Sequence, residues 1–361
     1  MKGITVVIGQ AAGIVLGLAV WAGFVSSQGA APNLERYQAE QPHMGTLFRI
    51  VVYSPDEARA RAACQEAFRR IAQLDHTMSD YKEDSELMQL CRQPVGTAVK
   101  VSPDLFRVLW AGQQVARATD GAFDVTVGPI VRLWRRARRQ RELPDEKRLE
   151  AARAAVGYEK LQLDPDRQTV TLLRPGMVLD LGGIGKGFAA DEALQVLRRH
   201  GLNRAMVVAG GDVRVGEPPP AAAGWKIAIA GVQAGAKATE YLLLTNAAVS
   251  TSGDLEQYVE IGGRRYSHIV NPKTGQALVG RRSATVVAPT GTQSDPWATA
   301  LCVLGEQGLA LIEKQPDLAA RLLIAHDISK PPGNCAQSPT NTSQAGVRAY
   351  TSSRWSHLPR P

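Results

Sequence analysis

The sequence predicts an α+β protein, with mixed or antiparallel sheets flanked by helices and arranged in two lobes. Three observations carry that expectation. Helical periodicity is concentrated in the first half of the chain. In the second half, strand-like runs follow one another without the helices that a doubly wound sheet requires. The one stretch that imitates a dinucleotide-binding turn, "GKGFAA" at Gly185–Ala190, comes far too late in the chain to open a Rossmann fold.

Taken in order, the elements follow from local chemistry. Lys2 precedes an uncharged run of 22 residues, Ile4 to Val25, followed by the small residues of "SSQGAAP". That run predicts export, with residues 1–30 as a cleaved signal peptide or a membrane anchor. Residues 31–42 read as a polar linker and 43–328 as the folded domain. "GTLFRIVVY" alternates like a strand. Ser54-Pro55-Asp56 then opens a helix with apolar positions at Ala63, Ala67, Phe68, Ile71 and Leu74. Ser102 and Pro103 start another helix that ends before Gly121, and a third runs from near Pro144 to Ala155. "LQLDPDRQTVTLL" reads as two strands joined at Asp164-Pro165-Asp166. "RAMVVAGGDVRV", "GWKIAIAGV", "EYLLLTNAAVSTSG", "QYVEIGGRRYSHIVN" and "RSATVVAP" supply further strands. "TQSDPWATALCVLGEQGLALIEKQP" reads as helix, break, helix. Residues 329–361, polar and rich in Pro and Ser, are expected to be a disordered tail.

Composition narrows the function. With 44% hydrophobic and 21% charged residues the chain is globular. Much of its net charge of +8 comes from one stretch, in which Arg132, Arg135, Arg136, Arg138, Arg139 and Arg141 lie within ten residues. No base-reading motif accompanies this run, so it reads as a solvated basic face and nucleic acid is not an expected partner. Cys64, Cys91, Cys302 and Cys335 have no metal-ligand spacing. Cys64 and Cys302 fall in apolar helical patterns and read as buried thiols.

The glycine stretch "VLDLGGIGKGFAAD" is neither a Rossmann fingerprint nor a Walker A loop. Asp180 stands where the former needs an apolar residue, and Gly187 where the latter needs Ser or Thr. What remains is a turn whose glycines admit a ligand close to the backbone, with Lys186 as a cation suited to phosphate. Elsewhere, Ser79 and Tyr81 precede a helix start at Ser85 and offer a hydroxyl and a stacking ring. Asp120, Asp124 and Thr126 crowd a glycine-containing loop. His268 lies in a strand ending at an Asn-Pro turn. Asp295 and Thr299, at i and i+4, place two oxygen ligands for a hard cation on one helical face.

In this order the blocks "MGT", "MSDYKEDSEL", "TDGAFDVTVGPIVRLW", "LDLGGIGKGFAAD", "VVAGGDVRV", "AVSTSGDLEQY", "RRYSHIVNPKTG" and "VVAPTGTQSDPWATAL" resemble the ApbE family of FAD:protein FMN transferases, over residues ~43 to 324. The resemblance implies a Mg²⁺-dependent enzyme on the periplasmic side of the bacterial inner membrane. It would move FMN from FAD to a Thr or Ser hydroxyl and release AMP. The implied acceptors are flavoprotein subunits such as those of Na⁺-translocating NADH:quinone reductase or Rnf-type complexes. It also implies roles for particular residues. Met44, Ser79 and Tyr81 would contact the flavin end, and Ala122, Phe123, Asp124, Lys186 and Ile269 would line the FAD site. Gly183 (by its carbonyl), Asp295 and Thr299 would hold Mg²⁺, and His268 would be the general base.

Some features depart from the family pattern. The usual "SHIIDP" is "SHIVNP", which puts Asn271 in place of an acid and leaves it only a turn-forming role. The arginine-rich "LWRRARRQRE" replaces a glycine-containing stretch. The family's closing strand is not expected after "RLLI", and no lipoprotein cysteine follows the apolar run. Two other readings stand beside transfer: FAD pyrophosphatase activity giving FMN and AMP, and non-catalytic FAD binding.

Overall fold

A computed structural model of the chain describes residues 33–232, 240–254, 257–325 and 346–361. The chain opens with a hairpin, β1 (Glu35–His43) and β2 (Thr46–Ser54), joined by Met44 and Gly45. Both turn residues have positive φ, 49° and 72°, the geometry that matches the twist of a two-residue hairpin. Residues 35–42, expected to be linker, therefore belong to an edge strand that ends at His43. Their side chains are largely exposed on both faces, so no apolar alternation announces them, and backbone pairing with β2 makes the strand.

The helices of the first half follow: α1 (Glu57–Met78), α2 (Glu86–Cys91), α3 (Pro103–Ala118), α4 (Gly128–Gln140) and α5 (Glu146–Ala154), with the short strand β3 (Val99–Lys100) between α2 and α3. Asp56, Ser85, Ser102 and Asp145 each accept a hydrogen bond from the first turn of α1, α2, α3 and α5, so these helices start where the caps predict. β4 (Leu161–Asp164) and β5 (Thr169–Leu172) form a hairpin that β3 extends. After α6 (Gly185–Arg199) come β6 (Ala205–Ala209), β7 (Asp212–Val215), β8 (Trp225–Ile229), β9 (Glu240–Leu244), β10 (Ala248–Gly253), β11 (Tyr258–Ile261), β12 (Arg264–Val270), β13 (Ala277–Val279) and β14 (Arg282–Ala288). The remaining elements are α7 (Gly291–Leu304), α8 (Gly308–Glu313), β15 (Ala319–Ala325) and β16 (Val347–Thr351).

Eight strands form the main sheet in the order β1-β2-β6-β7-β10-β14-β15-β16, and every neighbouring pair is antiparallel. This confirms the α+β class. The apolar run before the glycines is no strand; it makes a single parallel bridge, Val127 to Val178. Both faces of the sheet are covered. Phe48, Ile50 and Val52 of β2 point into a large core shared with α1, α3, α6 and α7, while Val51 points to the opposite face beneath the β8–β9 hairpin. A third cluster joins Ile130 and Trp134 of α4 to Leu149 of α5 and to β11–β13. The expected two lobes are thus a large sheet-centred body and this smaller cluster, within one compact unit from Leu34 onward.

The last residues overturn the expectation of a disordered tail as far as they are described. β16 pairs with β15 along Arg321–Ala325 and supplies the closing strand that was not expected after "RLLI". Beyond it Trp355 is 2% exposed, packs under the β8–β9 hairpin and donates its indole N–H to Glu240. Polar composition hid these elements because β16 is only half-buried along its length.

The expected signal or anchor segment and Cys335 lie outside the described residues. No described helix is long and apolar enough to cross a membrane. Cys64 and Cys302 are buried free thiols, as their patterns suggested, and Cys91 is a half-buried one.

Candidate active site

Two helices meet at a crossing made possible by two glycines. Gly187 of α6 and Gly291 of α7 lie back to back: a Cβ on Gly187 would stand 2.1 Å from the Gly291 carbonyl oxygen, and one on Gly291 2.4 Å from the Gly187 oxygen. Each position tolerates only glycine at this approach. The crossing brings Lys186 of α6 against Asp295 of α7, and β7 adds Asp212 from the sheet. Lys186 Nζ lies 3.2 Å from Asp212 and 3.5 Å from Asp295, and it donates to the Gly182 carbonyl at 3.0 Å. Lys186 is therefore not a bare cation: two acids and the Gly182 carbonyl already surround its ammonium. Burial alone would lower its pKa, but Asp212 and Asp295 outweigh that and hold it above the ordinary lysine value.

The carboxylates experience the same cluster from the other side. Burial, then the charge of Asp212, pushes Asp295 up to about 7, opposed by Lys186 and the Gly187 N–H at 3.2 Å. One oxygen of Asp212, Oδ2, is buried without a hydrogen-bond partner, although it faces Lys186. Among the described residues that oxygen makes the ion pair with Lys186 and no hydrogen bond, so it keeps acceptor capacity for a cation. Thr299, one turn beyond Asp295, is shared with Ser252 Oγ at 3.1 Å. Gly183 is close to it: a Cβ on Gly183 would stand 3.1 Å from Thr299 Oγ1 and 3.2 Å from the Phe123 ring. Gly183 thus lies beside Thr299, Asp295 stands one turn before Thr299 on α7, and Lys186 links Asp295 to Asp212; carbonyl, carboxylate and hydroxyl oxygens are donor types that suit a hard divalent cation. Among the described residues no group of three His, Cys, Asp or Glu side chains forms a cage by itself.

A clamp fixes the three elements that carry this cluster. Asp191 of α6 accepts from the N–H groups of Gly291 and Thr292 at 2.9 and 2.8 Å, and so caps α7, whose own Thr290 makes no side-chain cap. Its carboxylate also pairs with Arg214 of β7 at 2.8 Å, and Arg214 donates onward to the Val215 and Ala247 carbonyls. Asp191→Ala strands a guanidinium that is 6% exposed and uncaps α7. Losing one partner of such a pair costs about 3–5 kcal/mol, and urea unfolding should show that loss.

The loop following α1 forms another wall. Ser79 Oγ accepts from the Tyr81 N–H, and the Ser79 carbonyl accepts from Ser85, so the turn is set by its own hydroxyls. Tyr81 is 73% exposed and lies under the Arg135 guanidinium, 4.3 Å from the ring centroid. Arg135 in turn pairs with Asp80 and, at 2.8 Å, with Asp180. Asp180 also accepts from the Gly182 N–H at 2.8 Å, which fixes the start of the glycine turn. Arg135 is thus no solvated surface charge; it links the Tyr81 loop to the Lys186 turn. Met44 arrives from the β1–β2 hairpin, whose Thr46 lies against the Gly210 turn leading to Asp212. Ala122, Phe123 and Asp124 are each about 5% exposed or less and touch the site mainly through Phe123 beside Gly183. Asp124, pushed up to about 6 by burial, accepts from both the N–H and the hydroxyl of Thr126.

His268 faces solvent from β12 with Ile269 buried behind it. The Gln257 carbonyl lies 3.1 Å from His268 Nδ1 and fixes that nitrogen as the donor, which leaves Nε2 as a free lone pair. Crowding by surrounding protein lowers its pKa to about 4; the Gln257 carbonyl opposes this, while the charges of Lys186 and Arg138 add to it. The following turn is made by Asn271, whose side chain accepts from the Lys273 and Thr274 N–H groups, so the turn role expected of it is present without a charge.

A family model described as the ApbE family matches residues 44–322. The chain belongs to the ApbE family. Among its relatives is the FAD:protein FMN transferase of Haemophilus influenzae, 33% identical over 79% of this chain and 85% of the relative. That of Treponema pallidum is 33% identical over 82% and 86%. Solved ApbE structures agree in fold. The Vibrio cholerae flavin transferase superposes with a TM-score of 0.75 at 27% identity, covering 90% of this chain and 99% of that one. The Thermotoga maritima ApbE protein gives 0.72 at 31% identity, covering 81% and 94%.

Sequence reasoning did not single out Asp212, which the structure places against Lys186. It also missed Arg135, Asp180 and Gln257. The carboxylate in "GGD", after a glycine turn, was the available signal for Asp212; the other three carry none, because their partners are distant in sequence.

Proposed function

We propose that this chain is a FAD:protein FMN transferase acting on a threonine or serine hydroxyl. The observation that carries the reading is His268, whose Nδ1 is held by the Gln257 carbonyl so that Nε2 is left as the acceptor, in a chain that also gathers Lys186, Asp212 and Asp295. The acceptor hydroxyl gives its proton to Nε2 while its oxygen bonds to the FMN-side phosphorus of FAD. The bond from that phosphorus to the bridging oxygen breaks, and AMP leaves with the bridging oxygen. A histidine that stays neutral at physiological pH suits a base, and a buried cation suits charge gathering on phosphate oxygens.

Gly183, Asp295 and Thr299, with Asp212 beside them, are the residues that would hold Mg²⁺, and bound Mg²⁺ would neutralise the pyrophosphate. Lys186, kept charged by its two acids, would hold a pyrophosphate oxygen from the helix start. Tyr81 offers a face for the isoalloxazine, with Met44 and Ser79 at the same end and Ala122, Phe123, Asp124 and Ile269 behind the site. The apolar run Ile4–Val25 supports an enzyme at the periplasmic side of the inner membrane. Flavoprotein subunits of Na⁺-translocating NADH:quinone reductase or Rnf-type complexes are the acceptors that this reading favours.

Incubating the protein with FAD, Mg²⁺ and such a subunit should leave flavin attached to the acceptor after denaturation, with one AMP formed per FMN attached. Free FMN and AMP without attachment would replace transfer by pyrophosphatase activity, and intact FAD would leave a flavin-binding protein.

A further inference from the structure

Resting on that reading, we propose that the outer arginines of α4 are the docking surface for an acidic segment of the acceptor protein, beside its reactive hydroxyl. The helix buries Ile130, Trp134 and Ala137, and Arg135 turns inward to Asp80 and Asp180. Arg132, Arg136, Arg139 and Arg141 are exposed and Arg138 is half-buried. Their hydrogen bonds go to neutral groups: Arg132 to the Met88 sulfur, Arg136 to Gln140 and Arg138 to Gln257. Among the described residues none of the five forms an ion pair with a carboxylate. Like charges three and four residues apart weaken a helix. The negative C-terminal end of the dipole favours Arg138 and Arg139 but does nothing for Arg132 in the first half. Packing requires none of these outer arginines, because the buried face of α4 is apolar.

Their position supplies the purpose. Arg138 Nη1 lies 3.3 Å from the side-chain oxygen of Gln257, the residue whose carbonyl fixes His268 at 3.1 Å. A protein that presents a hydroxyl to His268 therefore passes along this face, and guanidinium groups without a carboxylate partner among the described residues match carboxylates there. The occupant is a protein because the base next to the arginines serves a protein hydroxyl, and no base-reading motif accompanies them.

Two labelled peptides, each with a central threonine and flanked by glutamates in one and by glutamines in the other, test this with the full chain at low salt. The glutamate peptide should bind about tenfold more tightly, a difference of about 1.4 kcal/mol, and added salt should erase the preference. Arg136→Gln/Arg139→Gln and Arg138→Gln should each reduce the preference while flavin-fluorescence titration shows FAD affinity unchanged. Equal binding of the two peptides overturns the proposal. So does a variant that keeps the full preference, or one whose defect is confined to FAD affinity. Vesicles containing phosphatidylglycerol that bind wild type, with loss in the variants and no peptide preference, would assign the face to a membrane instead. A preferred peptide that binds but never acquires FMN upholds the docking surface and counts against the transferase reading.

Discussion

Replacing His268 by alanine should slow FMN transfer by about 10²–10⁴-fold, the range contributed by one positioned base, while FAD binding persists. The ring is exposed and, among the described residues, its only hydrogen bond runs to Gln257, so its loss removes little packing. Normal transfer by the variant would remove His268 from the mechanism. The pH profile adds a second constraint. With a pKa pushed down to about 4, Nε2 is already free at neutral pH, so the limb that His268 contributes to kcat/KM should lie near pH 4, apart from the one that Asp295, pushed up to about 7, contributes. A His268 ring that takes up its proton at the ordinary histidine value, followed by NMR of the imidazole, would show that the surroundings do not hold off the proton. Stability should follow the same group. The folded pKa lies below the unfolded one, so the unfolded chain takes up the proton first, and the fold loses stability as pH falls from 6.5 toward 4.

Gly187→Ala is expected to be the most damaging single methyl group in the molecule. The added carbon would lie 2.1 Å from the Gly291 oxygen and 2.9 Å from Asp295 Cβ, so α6 and α7 have to move apart. Forced overpacking costs about 1–3 kcal/mol or more, which lowers the melting temperature by roughly 2–4 °C for each kcal/mol. Separating the helices also draws Asp295 away from Lys186, so activity should fall further than stability alone explains. Gly185→Ala is the control. A carbon there meets only Leu181 Cβ, at 4.0 Å. Since alanine favours helix by about 1 kcal/mol over glycine, that variant should melt no lower than the parent. Equal melting of the two variants would show that the crossing has room to spare.

Much of the site was legible because its signals are local. Gly183, Lys186, Asp295 and Thr299 sit on short motifs, two of them one helical turn apart, and the fold does gather them. The glycine turn also kept its expected character, but its purpose differs from the one that a phosphate loop suggests. Gly187 is there for the helix crossing, and Lys186 is committed to two acids. The arginine run shows the opposite limit. Its six side chains are equivalent as a composition, yet Arg135 joins Asp80, 55 residues away, and Asp180, 45 residues away.

Local sequence was enough for the helix caps, the α+β class, the order of the motif blocks and, through them, the family. These depend on hydrogen bonds and periodicities within a few residues, and such interactions are written in neighbouring letters. Tertiary structure alone decided that residues 35–43 and 347–351 are edge strands, that Asp212 completes the carboxylate pair around Lys186, and that Gln257 orients His268. Edge strands need only backbone pairing and so bear no side-chain pattern. A charge's partner is chosen by whatever the fold places opposite it, however far away in the chain.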